Sequence, residues 1–127
     1  MRVFVTGVGG QLGHDVMNEL AKRGYEGVGS DIAPSYSGIA DGTAVTTMPY
    51  VQMDITDKTS VEKVIREANV DAVIHCAAWT AVDAAEDDEN KNKAHSINAD
   101  GTRNIAAACK KTDSKICLLY TSDAADE

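Results

Sequence analysis

Short apolar runs alternate with amphipathic helical patterns along most of this 127-residue chain, and this alternation constrains the fold more than any other feature. We predict strands at about 2–6, 27–31, 50–53, 72–76 and 115–120, and helices at about 11–23, 57–68 and 90–111. Strands that alternate with helices are joined by right-handed crossovers and lie parallel. The pattern therefore predicts one domain of the α/β class, a doubly wound parallel sheet with strand order 3-2-1-4-5.

Composition supports a globular chain and disfavours several classes of partner. The chain is 43% hydrophobic and 25% charged, which argues against disorder. With 12 basic and 20 acidic residues its net charge is −8, so we expect neither nucleic acid nor an anionic membrane as a partner. The sequence lacks an apolar run long enough to span a membrane, and its start does not resemble a secretory signal. The three cysteines lack the spacing of a disulfide framework or a metal site. We therefore expect a cytoplasmic protein without a bound metal.

A glycine-rich segment links the first predicted strand to the first predicted helix. Gly7, Gly10 and Gly13 follow the spacing G-x-x-G-x-x-G. Glycines in this context permit a tight turn, close backbone approach to a pyrophosphate and close packing of helix on strand. The free N–H groups of the helix N-terminus then bind the pyrophosphate of a dinucleotide. A glycine turn with a purely structural role is the alternative.

Two acidic residues end the second and third predicted strands. Asp31 is placed to accept hydrogen bonds from the adenosine ribose, although it could instead cap a turn. No Arg or Lys lies between Gly24 and Gln52 to neutralise a 2′-phosphate, which locally favours NAD over NADP. Asp54 is placed beside the adenine edge, or alternatively acts as an N-cap-like residue before Asp57.

Several motifs resemble those of a known enzyme family. Two motifs resemble those of the extended short-chain dehydrogenase/reductase superfamily: the glycine segment and the segment Asn98-Ala99-Asp100-Gly101-Thr102. The stretch from Ala77 to Glu86, Ala-Ala-Trp-Thr-Ala-Val-Asp-Ala-Ala-Glu, resembles the narrower signature of the dTDP-4-dehydrorhamnose reductases. The resemblance covers residues 1–116 and implies that they form the N-terminal part of an NAD(P)-binding Rossmann domain.

The resemblance also implies which residues bind the cofactor, NADPH or NADH. Gly10, Gln11 and Leu12 would contact its pyrophosphate end, and Asp54 with Ile55 would surround the adenine. Asn98 would lie near the cofactor, or alternatively be a buried structural Asn. The complete set of expected cofactor-binding residues is Gly7, Gly10, Gln11, Leu12, Gly13, Asp31, Asp54, Ile55, Ala78, Trp79, Thr80 and Asn98, of which Ala78 to Thr80 would lie towards the nicotinamide ribose.

The catalytic pair of the superfamily is missing from this chain. Its members use a Tyr-x-x-x-Lys pair, in which the Tyr donates a proton to the substrate carbonyl oxygen while the nicotinamide delivers a hydride. Each of the four tyrosines here is followed, four residues later, by a residue other than Lys. We therefore assign no catalytic residue.

Residues 117–127 depart from the reductase pattern and are similar to a translated sequencing-adapter end. We expect them to be a non-native tail after a truncated domain.

The resemblance therefore implies the cofactor-binding portion of an NAD(P)H-dependent dTDP-4-dehydro-L-rhamnose reductase, an enzyme of dTDP-L-rhamnose biosynthesis. We expect this portion to be inactive by itself, because the dTDP-sugar substrate would be bound only by the full-length protein. The alternatives are a non-catalytic nucleotide-binding regulatory subunit, or a portion of another sugar-nucleotide epimerase or dehydratase of the same superfamily.

Overall fold

A computed structural model describes residues 1–36, 47–76 and 88–118. For residues 88–99 and 118 it describes the backbone only. Within these residues, five strands form one parallel sheet in the order β3-β2-β1-β4-β5. The strands are β1 (Arg2–Thr6), β2 (Glu26–Asp31), β3 (Tyr50–Gln52), β4 (Ala72–His75) and β5 (Lys115–Leu118). The predicted fold class and strand order are therefore confirmed.

Three described helices cover the two faces of the sheet: α1 (Gln11–Lys22), α2 (Lys58–Ala68) and α3 (Asp88–Thr112). Two separate apolar clusters hold these layers together. One places Phe4 and Val73 of the sheet against Ile65 of α2 and Ile105 of α3. The other packs α1 on the opposite face through the set Val3, Val5, Met17 and Leu20. Helices on both faces of a parallel sheet are the layers of a doubly wound fold.

Local signals in the sequence set the ends of the helices. The Asp57 side chain accepts a hydrogen bond from the Ser60 N–H at 3.2 Å and caps the start of α2. Asn69 ends the same helix in the left-handed conformation, with a φ of 50°. Gly24 follows α1 with a φ of 76°, a value that glycine adopts without strain. These ends lie within two residues of the predicted ones.

The buried stripe of α1 differs from the one that apolar periodicity predicts. Leu12, Val16 and Leu20 recur at the right spacing, but Leu12 and Val16 are only half-buried. Gly13 and Met17 are buried in their place, together with Leu20. Gly13 lies against the backbone of the preceding loop, where a Cβ atom would collide, so this close approach requires glycine.

The strand register brings polar residues together at the carboxyl edge of the sheet. Thr6 lies opposite Ser30 on one side and His75 on the other. Asp31 lies opposite Gln52 at the same edge. Ligands of open parallel sheets bind outside the carboxyl ends of the strands, so this edge is where a site is expected. None of the helices in residues 1–36, 47–76 and 88–118 has the length and apolar character of a membrane-spanning segment.

Candidate functional site

The glycine-rich loop after β1 is a tight turn. Gly7 has a φ of 73°, and its carbonyl oxygen accepts the Gly10 N–H at 3.1 Å. The Val8 N–H donates to the Ser30 carbonyl at 3.2 Å, which attaches the loop to β2. The conformation at Gly7 favours glycine, because a side chain is strained at such a φ.

Gly10 and Gly13 are required to different degrees by the structure. A Cβ atom on Gly13 would collide with the carbonyl group of Gly7 and lie 2.8 Å from the Cα of Val8. A Cβ atom on Gly10 would lie 3.6 Å from the Gly7 oxygen, which is an ordinary contact. Gly13 therefore serves the packing of helix on loop, whereas Gly10 leaves an open backbone surface at the start of α1.

The N-terminus of α1 is suited to an anion. Gly10 is the N-cap, and among the described residues no side chain caps this end and no acid lies in the first turn. The first N–H groups of a helix lack intrahelical partners and carry partial positive charge. Gln11 is exposed here and donates from its side chain to Asp15 at 2.8 Å, while Leu12 packs half-buried on the core.

Asp31 lies beside the glycine loop at the end of β2. Its Oδ2 accepts the Gly9 N–H at 2.8 Å, and its Oδ1 accepts the Ile32 N–H at 2.8 Å. A Cβ atom on Gly9 would lie 2.8 Å from the same Oδ2. A side chain at position 9, which the G-x-x-G-x-x-G pattern leaves open, would therefore require the Asp31 carboxylate to shift. Both backbone donors fix the direction of the carboxylate.

The turn after β3 also lies at this edge. Asp54 Oδ1 accepts the N–H of Thr56 at 2.9 Å and its hydroxyl at 2.7 Å, so Asp54 closes a local turn. Asp57, not Asp54, is the N-cap of α2. The Ile55 side chain packs against Gly101 of α3, and the Asn104 side chain donates to the Ile55 carbonyl at 2.9 Å. An adenine contact at Asp54 and Ile55 stays a prediction.

The remaining predicted residues are described incompletely or not at all. Ala78, Trp79 and Thr80 lie outside the described residues. Asn98 lies in α3, where the description covers its backbone. Among the described residues, no group of three His, Cys, Asp or Glu side chains is arranged to hold a metal ion. The cysteines Cys76, Cys109 and Cys117 are free.

A buried polar network, which the sequence patterns do not predict, joins β1 to β4. Thr6 Oγ1 lies 2.8 Å from Nδ1 of His75 and accepts the Cys76 N–H at 2.9 Å. Thr6 is 1% exposed and His75 is 5% exposed. These residues are about 70 positions apart in the chain, so only the pairing of β1 with β4 brings them together. The network fixes the point at which the chain leaves β4.

Burial lowers the pKa of His75 from its ordinary value of 6.5. The unfolded chain therefore takes up a proton on His75 at a higher pH than the folded chain does. We expect the His75 contribution to stability to be complete above about pH 7 and to fall as the pH drops through 6.5 towards the lowered folded pKa. Urea unfolding of the wild type and of His75→Asn at a series of pH values measures how the free energy of unfolding depends on pH in each protein. Parallel pH profiles for the two proteins would contradict the prediction.

Comparison with known proteins identifies the family. The family model described as RmlD substrate binding domain matches residues 1–124. A dTDP-4-dehydrorhamnose reductase of Mycolicibacterium smegmatis is 33% identical over 120 residues, which are 94% of this chain and 30% of that protein. The chain thus spans about a third of the length of the curated relatives it matches.

Solved structures agree with this assignment. The structure of dTDP-4-dehydrorhamnose reductase from Bacillus anthracis in complex with NADP has a TM-score of 0.67 and 32% identity, covering 91% of this chain and 34% of that one. A UDP-glucose 4-epimerase of Thermus thermophilus in complex with NAD has a TM-score of 0.76 and 28% identity, covering 91% and 36%.

The family match also extends beyond the predicted domain boundary at residue 116. Strand β5 includes Cys117 and Leu118, which belong to the tail expected from the sequence. A non-native origin of residues 117–127 stays a prediction. The match over 1–124, the reductase relatives and the Rossmann sheet agree with the motif at residues 77–86, and the chain therefore belongs to the RmlD substrate binding domain family, together with the dTDP-4-dehydrorhamnose reductases.

Proposed function

We propose that this chain is the cofactor-binding portion of an NAD(P)H-dependent reductase, with the binding domain formed by residues 1–116. The observation that carries the proposal is the attachment of the Asp31 carboxylate to the Gly9 N–H at the carboxyl edge of the sheet. It brings the Asp31 carboxylate directly beside a glycine loop and a helix N-terminus without a side-chain cap, which supports a ribose-binding role for Asp31. This combination of acid, loop and helix end is the arrangement that binds the adenosine diphosphate half of a dinucleotide.

The residues of the loop fit a pyrophosphate sterically. A ligand can approach the backbone at Gly10, since a Cβ atom there would point into space with only an ordinary contact. Gly7 and Gly13 keep the loop closed against α1 and so hold the first N–H groups of the helix towards the ligand. The bound nicotinamide would supply a hydride. Asp31 would accept hydrogen bonds from the ribose hydroxyls, and the turn at Asp54 and Ile55 would lie beside the adenine.

We further propose that the intact protein reduces the 4-keto group of dTDP-4-dehydro-L-rhamnose. The family match and the reductase relatives support this substrate over a UDP-sugar. The greater TM-score of the epimerase supports an epimerase as the second candidate. A protein that carries this domain together with its substrate-binding region distinguishes the two. Net oxidation of NADH or NADPH supports the reductase, and interconversion of sugar epimers without net oxidation supports the epimerase.

Titration calorimetry with NADH and NADPH tests the cofactor site. We expect the wild-type chain to bind both, NADH more tightly, because the Asp31 carboxylate accepts hydrogen bonds from a 2′-hydroxyl and repels a 2′-phosphate. Asp31→Ala should weaken NADH binding about tenfold and leave NADPH binding unchanged or tighter. Glu67→Ala is the matched control, since this exposed carboxylate lies near the end of α2. An unchanged ratio in Asp31→Ala would mean that Asp31 does not contact the ribose.

The isolated chain should not reduce the keto sugar, whatever its affinity for the cofactor. Its sequence lacks the Tyr-x-x-x-Lys pair, which donates the proton to the carbonyl oxygen in the superfamily that the chain resembles. Oxidation of NADPH by the purified chain, followed at the nicotinamide absorbance in the presence of the keto sugar, measures this. Turnover above that of a blank without protein would contradict the assignment of no catalytic residue.

A further inference from the structure

We propose that Tyr36 and Tyr50 are positioning residues, which hold the segment 32–36 against α1 and β3 and thereby strengthen the preference for a 2′-hydroxyl over a 2′-phosphate. The proposal rests on the proposed function, because it concerns the residues that directly follow the ribose-binding Asp31. Neither tyrosine is expected to touch the cofactor. Each acts through the backbone of the segment.

Strand β3 holds the first half of the segment by two hydrogen bonds. The Tyr50 hydroxyl donates to the Ala33 carbonyl at 2.7 Å, and the Gln52 side-chain amide donates to the Ile32 carbonyl at 3.0 Å. Burial, and secondly the nearby charge of Asp31, raise the pKa of Tyr50, so its phenol remains a donor at neutral pH. Ile32 itself is 64% exposed, so its side chain contributes little to holding the segment.

Helix α1 holds the other end of the segment. Tyr36 Oη lies 3.1 Å from Nδ1 of His14, and Nε2 of His14 lies 3.3 Å from the amide nitrogen of Asn18. His14 is 3% exposed. The rings of Tyr36 and Tyr50 also meet edge to face, with centroids 6.4 Å apart. The ring contact therefore links the attachment to β3, made by Tyr50, with the attachment to α1, made by Tyr36.

The held segment is coupled directly to the Asp31 carboxylate. The Ile32 N–H, which is the first backbone donor of the segment, donates to Asp31 Oδ1. The Gly9 N–H donates to Asp31 Oδ2. A 2′-phosphate beside Asp31 would need free hydrogen-bond donors and would need the carboxylate to move away, because two neighbouring anions repel each other. With the segment fixed at both ends, the Ile32 N–H and the carboxylate stay where they are. A loosened segment would let both move and would tolerate the phosphate better.

The test compares the dissociation constants of NADH and NADPH in Tyr36→Phe, Tyr50→Phe and the wild type. Each variant keeps the ring and removes one hydroxyl, so the fold should be retained, and circular dichroism with thermal melting checks this. We expect the ratio of the NADPH to the NADH dissociation constant to fall about fivefold in each variant, the effect of one typical net hydrogen bond. Tyr25→Phe is the matched control, since Tyr25 is 38% exposed and directly precedes β2 at the opposite edge of the sheet. Its ratio should equal that of the wild type.

Three outcomes would overturn the proposal, and they differ in what else they overturn. An unchanged ratio in both folded variants means that the segment does not influence the 2′ position. Equal weakening of both nucleotides means that the tyrosines affect affinity without affecting selectivity. In either case the proposed cofactor site stands, because the wild type binds. A folded wild type that binds neither NADH nor NADPH would overturn the proposed function together with this inference.

Discussion

Gly13→Ala is expected to destabilise the folded chain by about 3 kcal/mol or more, because the new methyl group would collide with the Gly7 carbonyl and the Val8 Cα. The neighbouring atoms are backbone atoms of a tight turn, so they cannot rotate away as a flexible side chain would. Relief would require α1 to move off the loop, which would open the core around Met17. Urea unfolding followed by circular dichroism measures the change in the free energy of unfolding.

Gly10→Ala is the matched control for that experiment. Gly10 has a φ of −93°, which alanine adopts readily, and its Cβ atom would make an ordinary contact at 3.6 Å. We expect a loss of stability below about 1 kcal/mol, from the weaker N-cap preference of alanine. Under the proposed function the same variant should bind NADH more weakly, since its methyl group lies on the backbone surface that a pyrophosphate would approach. Equal stabilities for the two variants would contradict the packing role of Gly13.

The second large effect is expected at Thr6. Thr6→Val preserves the shape of the side chain but removes the hydroxyl that accepts the Cys76 N–H and contacts His75 Nδ1. Both partners are buried and would lose a hydrogen bond, so we expect a cost of about 2–4 kcal/mol in the free energy of unfolding. Chemical denaturation measures the change.

Thr6→Ser distinguishes the contribution of the hydroxyl group to stability from that of the methyl group. It retains the hydrogen bonds and loses one buried methyl group, so its expected cost is about 1 kcal/mol. A serine variant as unstable as the valine variant would show that methyl packing, not the polar network, is what Thr6 contributes. The Cys76 N–H should also exchange faster in the valine variant than in the serine variant, which amide hydrogen exchange at Cys76 measures.

The sequence by itself determined the order of strands and helices, the parallel sheet and the position of the glycine loop. Apolar runs, helical spacing and caps such as Asp57 act over a few residues, and the handedness of crossover connections converts their order into a topology. The motif at residues 77–86 additionally predicted the family, which the match to residues 1–124 confirmed. The placement of Asp31 at the end of a strand required only that the strand be recognised.

The tertiary structure alone decided which side chains meet. On α1, Met17 is more deeply buried than Val16, and Gly13 lies against the backbone of the glycine loop, which helical periodicity does not specify. The bonds between Gly9 and Asp31 and between Thr6 and His75 join residues 22 and 69 positions apart. Such pairs depend on strand register and on packing against neighbouring elements. Local sequence patterns do not specify such pairs. The propensity of a residue for helix or strand is the same whichever distant residue it later contacts.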